Sequence, residues 1–182
     1  MKIPITKPLF GAEELAAVQR PLESGWVVQG PFVKKFEDRF AAFIGAPHAV
    51  ATSSCTAALH TVLAALGVQA GDEVIVPAFT WISTANVVEY LGARPVFCDV
   101  DLATFNIDVQ SIEPLVTPRT VGILPVHLFG LSADMDPILD LAARCAPWVV
   151  EDAACGFGVT FVRLHVGPLG AAGGFSFLSR TP

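Results

Sequence analysis

The sequence of 182 residues lacks the features that would place it in a membrane or on a nucleic acid. No apolar run reaches the roughly 18 to 20 residues that are needed to span a bilayer. The N-terminus has no long apolar core of the kind found in signal peptides, so the cytoplasm is the expected compartment. A formal net charge of −6 and the absence of a basic cluster argue against a nucleic-acid partner.

Cysteine and lysine are both scarce. Four cysteines occur, and no two of them form a C-x-x-C pair, so the sequence indicates neither a zinc site nor a disulfide framework. His127 and His165 have no acidic or cysteine partners at metal-ligand spacing, and we interpret them as structural or surface residues. Four lysines are present, at positions 2, 7, 34 and 35, and none follows Lys35.

What the chain does contain is a series of short apolar runs that alternate with helical segments. Strands are predicted at 49–51, 74–76, 95–98, 121–126, 148–152 and 173–177. Helices are predicted at 12–20, ended by Pro21, and at 32–44, 56–67, 80–91, 107–117 and 134–144. This alternation predicts an α/β fold, with a mostly parallel sheet and helices on both of its faces.

The segment 148–155 is the centre of this pattern. It is predicted to be a buried parallel strand that ends in Glu151 and Asp152, and ligands of open α/β sheets bind at such strand ends. A buried Asp152 requires a positive partner, for which a protonated pyridine nitrogen would serve. The alternative is that Asp152 caps the following helix or pairs with an arginine.

Three further stretches carry candidate binding residues. Residues 52–56 place small hydroxylated side chains at the start of a helix, where amide groups can bind phosphate, although a capped helix without a ligand is the alternative. Trp81 follows a strand and could stack on a flat ring or be packed in the core. Ser176 could contact a phosphate or be a hydrogen-bonded core serine.

Taken together, these stretches resemble the DegT/DnrJ/EryC1/StrS family of sugar aminotransferases. The resemblance rests on seven blocks in the family's order, at residues 24–37, 54–60, 71–77, 80–81, 126–135, 151–154 and 175–177. It implies the fold of the large domain of fold type I enzymes, which depend on pyridoxal 5′-phosphate (PLP). It also implies transamination of a nucleotide-linked keto sugar, with glutamate as the amino donor, in a homodimer.

The resemblance implies a role for each matching residue. Thr56 and Ala57 would bind the cofactor phosphate, and Ser176 would add a phosphate contact. Trp81 would stack on the pyridine ring. Asp152 would pair with the ring nitrogen and keep it protonated, which makes PLP an electron sink.

Two positions depart from the family's pattern. Cys155 replaces the glutamine or histidine that lies near the ring hydroxyl, and a thiol is the weaker hydrogen-bonding group. Thr181 stands at the position of the lysine that forms the Schiff base with the cofactor, and threonine cannot do so. Histidine at this position would indicate a sugar dehydratase, which Thr181 does not match either.

We therefore expect a truncated chain, with an N-terminal segment at 1–30, a partial PLP-binding large domain at 31–182 and no C-terminal small domain. The leading hypothesis is a fragment of a sugar aminotransferase with no catalytic residue of its own for transamination. The alternative is a non-catalytic module that binds PLP or pairs with a full-length subunit.

Overall fold

The computed structural model describes residues 9–145 and 147–178. The helices of this part are α1 (Ala12–Ser24), α2 (Pro31–Ile44), α3 (Cys55–Ala65), α4 (Ser83–Glu89) and α5 (Met135–Cys145). The strands are β1 (Glu73–Pro77), β2 (Arg94–Cys98), β3 (Thr120–Ile123), β4 (Trp148–Ala153), β5 (Thr160–Phe161), β6 (Leu164–His165) and β7 (Ala172–Phe175). Within the same residues, no helix is both long enough and apolar enough to cross a membrane.

Five of the strands form one parallel sheet in the order β2-β1-β3-β4-β7. The central strands β1 and β4 are buried along almost their whole length, as expected for parallel strands covered on both faces. Strands β5 and β6 form a separate antiparallel hairpin in the connection from β4 to β7. The predicted parallel sheet is confirmed.

Helices cover both faces of the sheet, because successive strand residues point to opposite sides. On one face, Val76 of β1 and Val150 of β4 pack with Leu59 of α3. On the other face, Ile75 of β1 and Val149 of β4 belong to the core that includes α5. The α/β prediction with helices on both faces is therefore confirmed.

Three predicted elements were wrong in detail. Residues 49–51 do not form a strand; the Ala51 amide donates to Glu37 Oε1 of α2 at 2.9 Å rather than to a neighbouring strand. Helix α1 runs past Pro21 to Ser24, since its exposed surface lets water satisfy the carbonyl that loses its donor. The segment 107–117 forms two short 3₁₀ turns instead of one helix, with a proline at the start of the second.

Candidate functional site

The carboxyl ends of β4 and β7 bring two of the predicted site residues to one edge of the sheet. Asp152 is the penultimate residue of β4 and pairs in register with Gly174 of β7. Ser176 follows the end of β7 directly and is half-buried, and its Oγ accepts a hydrogen bond from the Leu178 amide at 3.3 Å. This is the edge at which ligands of open α/β sheets bind.

Asp152 is a buried carboxylate, only 4% exposed. Its Oδ2 accepts from Thr84 Oγ1 at 2.8 Å, and its Oδ1 accepts from the Ala154 amide at 3.1 Å. Burial raises the pKa of Asp152 above its ordinary value, against the lowering effect of these two hydrogen bonds. No lysine, arginine or histidine among residues 9–145 and 147–178 lies within ion-pair distance of it. A buried acid in this state is complementary to a cation.

Helix α3 begins beside Asp152. Ser54 caps the helix by accepting the Ala57 amide on its Oγ at 3.1 Å, and Thr56 is hydrogen-bonded to Ser83 Oγ at 3.1 Å. The Ala57 amide is thus already bonded within the turn. A side chain at Gly174 would lie 2.9 Å from Leu59 and 3.3 Å from Cys55 Sγ, so this glycine allows α3 to approach the sheet edge closely.

Trp81 lies in the turn between β1 and α4, and 77% of its surface is exposed. Its carbonyl accepts the Thr84 amide at 3.0 Å, so the turn that carries Trp81 also carries the hydroxyl bound to Asp152. An exposed indole at the ligand edge of a sheet is available for stacking on a flat ring.

Two thiols flank the carboxylate. Cys55 Sγ lies 4.0 Å from Asp152 Oδ1, and Cys155, three residues after Asp152, is half-buried. Burial, and then the charge of Asp152, raises the pKa of both thiols, so they remain protonated and are poor nucleophiles. This agrees with the lack of any cysteine-histidine pair in the sequence.

Glu151, next to Asp152, has a different role. Its carboxylate accepts from the amides of Gly167, Leu169 and Gly170 and lies 3.0 Å from His127 Nε2. His127 Nδ1 accepts the Ala133 amide at 3.1 Å, which leaves Nε2 as the donor to Glu151. Glu151 and His127 are both completely buried. They hold the loop between β4 and β7, which bears out the structural interpretation of His127.

Comparison with known protein families shows to which family the chain belongs. The sequence model of the DegT/DnrJ/EryC1/StrS aminotransferase family matches residues 8–181. This chain belongs to that family. Its members are PLP-dependent aminotransferases.

Individual relatives cover nearly the whole of this chain. SpsC, a spore coat polysaccharide biosynthesis protein of Bacillus subtilis (strain 168), is 49% identical over 175 residues, which are 96% of this chain and 45% of SpsC. The structure of the aminotransferase TlmJ from Streptoalloteichus hindustanus is 36% identical, with a TM-score of 0.91 over 98% of this chain and 49% of TlmJ. An aminotransferase from Psychrobacter cryohalolentis is 39% identical, with a TM-score of 0.92 over 98% of this chain and 46% of its own. This chain spans about half the length of the relatives that it matches.

The residues at the sheet edge fit the family's cofactor. Asp152 is a buried acceptor with no cation beside it in the part of the chain that the structure describes, Trp81 is an exposed aromatic face, and α3 presents its N-terminus with the hydroxyl of Thr56. These groups match a cationic ring nitrogen, a flat ring and a phosphate. The part of the chain that the structure describes contains no cluster of side chains that could hold a metal ion.

From the sequence, the candidate residues that the structure describes were expected near one edge of the sheet. The residues that connect them were not recognised. Ser83 and Thr84 touch Thr56 and Asp152, respectively. Their signal was the pair of small hydroxylated residues at the start of α4, the same kind of signal that drew attention to 52–56. Thr181 lies outside the described residues.

Proposed function

We propose that this chain is the PLP-binding part of an aminotransferase that acts on nucleotide-linked keto sugars. The observation that carries the proposal is the buried Asp152 carboxylate, which accepts from the Thr84 hydroxyl, the Ala154 amide and, weakly, the Cys55 thiol, and has no cation beside it among the described residues. When bound, PLP supplies an electron sink at its protonated ring. A relative concerned with polysaccharide biosynthesis supports the sugar as the substrate class.

In the proposal, each residue orients one part of the cofactor. Asp152 accepts the ring N–H and stabilises its positive charge, and Trp81 covers one face of the ring and excludes water from it. Thr56 and Ala57 would bind the phosphate at the start of α3, where the Ala57 amide would exchange its bond to Ser54 Oγ for one to the phosphate, and Ser176 would add a hydroxyl. By the resemblance to the family, Cys155 would be the residue near the ring hydroxyl, and as a protonated thiol it would be at most a weak donor to it.

We further propose that the 182 residues printed here do not transaminate by themselves, because Thr181 stands where the family has its Schiff-base lysine. Four further points remain predictions: that glutamate is the amino donor, that the protein forms a homodimer, that it lies in the cytoplasm, and that the N-terminal segment ends at residue 30.

Cofactor binding by the purified chain tests the proposal. Equilibrium dialysis should show saturable PLP binding by the wild-type chain. Asp152→Asn should bind about 10- to 100-fold more weakly, the equivalent of one hydrogen bond to a charged group. Glu113→Gln, which changes an exposed acid that is paired with Arg144 rather than with any residue of the candidate site, should bind like wild type. Equal affinities for wild type and Asp152→Asn would contradict the role of Asp152. Transamination by the wild-type chain would contradict the proposal about Thr181.

A pairing module is the second candidate, favoured by the apolar surface of α1 and α2. Helix α1 buries none of its residues, and Leu15, Val18 and Leu22 are 58–71% exposed on it. A groove of about 430 Å³ beside it is lined mainly by aromatic and basic side chains, namely Phe32, Phe36, Phe40, Phe43, Phe157, Phe177, Arg20, Lys35 and Arg39. Surfaces of this kind mark interaction sites. Sedimentation of the chain alone and of the chain with full-length SpsC tests for pairing. If the chain sediments as a monomer in both samples, the pairing hypothesis is excluded.

A further inference from the structure

Thr84, the second residue of α4, links Asp152 to the turn between β1 and α4. It is completely buried, and its hydroxyl is 2.8 Å from Asp152 Oδ2 and 3.2 Å from Thr80 Oγ1. A hydroxyl has one proton to donate, and a carboxylate can only accept. The Thr84 proton therefore goes to Asp152, and the Thr84 oxygen accepts from Thr80. The two threonines form a chain of donors that ends on the carboxylate.

The same turn contacts the other parts of the site. The Trp81 carbonyl accepts the Thr84 amide at 3.0 Å, and Ser83 Oγ is 3.1 Å from Thr56 Oγ1. One turn of backbone thus fixes the position of the stacking indole, the hydroxyl at the start of α3 and the donor to Asp152. A displacement of this turn would move the indole and the Thr84 hydroxyl together, relative to Asp152 and to the start of α3.

We propose that Thr84 is a positioning residue, which fixes the orientation of the Asp152 carboxylate and keeps it ionised so that it can accept a cationic ring N–H. This inference rests on the proposed function for the identity of the ring. Its effect on Asp152 itself does not depend on a bound cofactor.

The need for such a donor follows from the surroundings of Asp152. Burial favours the neutral acid, and the hydrogen bonds from Thr84 and the Ala154 amide oppose that effect. The titratable groups that face Asp152 are Cys55 on α3, Cys155 on the following loop and His127, whose effect on the pKa of Asp152 is smaller than that of either hydrogen bond. A neutral Asp152 would present a hydroxyl to a ring N–H and lose the charge interaction, so the Thr84 hydroxyl favours the form that binds the cation.

The experiment compares Thr84→Val, Thr84→Ser and wild type in the full 182-residue chain. Thr61→Val is the matched control, because Thr61 also donates from a helix but to the Ala57 carbonyl on an exposed surface. The side-chain carboxyl carbon of Asp152 is followed by NMR as the pH is varied, and its resonance is assigned by its loss in Asp152→Asn. PLP affinity is measured on the same proteins by equilibrium dialysis.

Thr84→Val should raise the pKa of Asp152 by about one to two, the loss of one hydrogen bond to a charged group. It should weaken PLP binding about tenfold or more. Thr84→Ser retains the hydroxyl and should restore both values, and Thr61→Val should change neither.

An unchanged Asp152 pKa in a folded Thr84→Val chain overturns the inference. So does a failure of Thr84→Ser to restore it, since the role would then be one of shape alone. If Thr84→Val does not fold, Thr80→Val decides in its place: a smaller rise in the same pKa supports the donor chain, and no change overturns it. If the wild-type chain binds no PLP, the proposed function fails, while the pKa comparison still decides the role of Thr84.

Discussion

Replacing Glu151 with glutamine keeps the size of the side chain and removes half of its hydrogen-bond acceptors. In the structure, Oε1 accepts the amides of Leu169 and Gly170, both at 2.8 Å. Oε2 accepts the Gly167 amide at 2.7 Å and faces His127 Nε2 at 3.0 Å. A carboxylate can accept all four bonds, whereas an amide group has one oxygen and two N–H donors.

The cost of Glu151→Gln follows from this geometry. In either orientation, the glutamine NH₂ group faces two donors and can satisfy neither. Another tautomer of His127 does not relieve the conflict, because its Nδ1 accepts the Ala133 amide. Each lost bond to a charged group contributes about 1.5–3 kcal/mol, so the free energy of unfolding should fall by about 3–6 kcal/mol. This is a large part of the roughly 5–15 kcal/mol that stabilises a typical domain.

Urea unfolding, followed by tryptophan fluorescence and circular dichroism, measures the difference. Glu113→Gln is the matched control, because Glu113 forms an exposed ion pair with Arg144 at 3.3 Å, and its loss should cost about 1 kcal/mol or less. A fall of less than about 1 kcal/mol for Glu151→Gln would refute the view that these four bonds hold the loop.

Three further predictions concern other parts of the chain. Val162 and Arg163 adopt φ values of 45° and 73° at the tip of the β5–β6 hairpin, so Val162→Asn with Arg163→Gly should raise the free energy of unfolding by about 1–3 kcal/mol in urea melts. The pKa of Asp152 is raised in the folded state, so in the absence of cofactor Asp152→Asn should have a higher free energy of unfolding than wild type. This difference should appear as the pH rises above 3.8 and vanish below it. The hydrogen bond from Thr117, followed by those from two arginines, lowers the pKa of Glu73 from 4.5 to about 2. The stability that this carboxylate contributes above pH 4.5 should therefore be lost as the pH falls toward 2. Glu73→Gln should flatten this part of a plot of unfolding free energy against pH.

Controls for these predictions come from the same chain. Leu102→Asn is an exposed substitution outside the hairpin, since Leu102 is 84% exposed, and it should leave the free energy of unfolding nearly unchanged. A destabilised hairpin variant would contradict the assignment of strain to the two positive φ values. A gain for Asp152→Asn that does not vary with pH, or an acid limb that Glu73→Gln leaves intact, would contradict the corresponding pKa argument.

The sheet was predictable because its strands are read from local apolar runs. Residues 74–76 and 148–150 are apolar and flanked by breakers or charges, and both lie in buried parallel strands. Residues 49–51 show the limit of this approach, since three small or β-branched residues have no period that separates a strand from an extended loop. Their backbone donor is taken by Glu37, a partner that no local pattern indicates.

The candidate site was predictable only in part. Asp152, Thr56 and Trp81 lie at ends of strands or helices, where the sequence pattern alone places residues near the ligand edge. Thr84 lies 68 positions from Asp152, and Glu151 reaches amides 16 to 19 residues away. Contacts of this kind depend on the packing of elements, and a single sequence does not reveal them.

The two adjacent carboxylates of β4 point to opposite faces of the sheet and have different partners. Asp152 points toward α3 and α4 and leaves its charge for a ligand, whereas Glu151 uses its acceptors on the backbone of residues 167–170. The connecting loop is therefore anchored through its main chain, and Gly167, at a φ of 104°, and Gly170, where a Cβ would lie 2.4 Å from the Val149 carbonyl oxygen, restrict which residues can stand at the anchor. Residues 162 and 163 at the tip of the hairpin contribute none of these hydrogen bonds, so they can be substituted without removing the anchor. Two neighbouring residues of one strand thus fix both the position of this loop and the position of the Asp152 carboxylate.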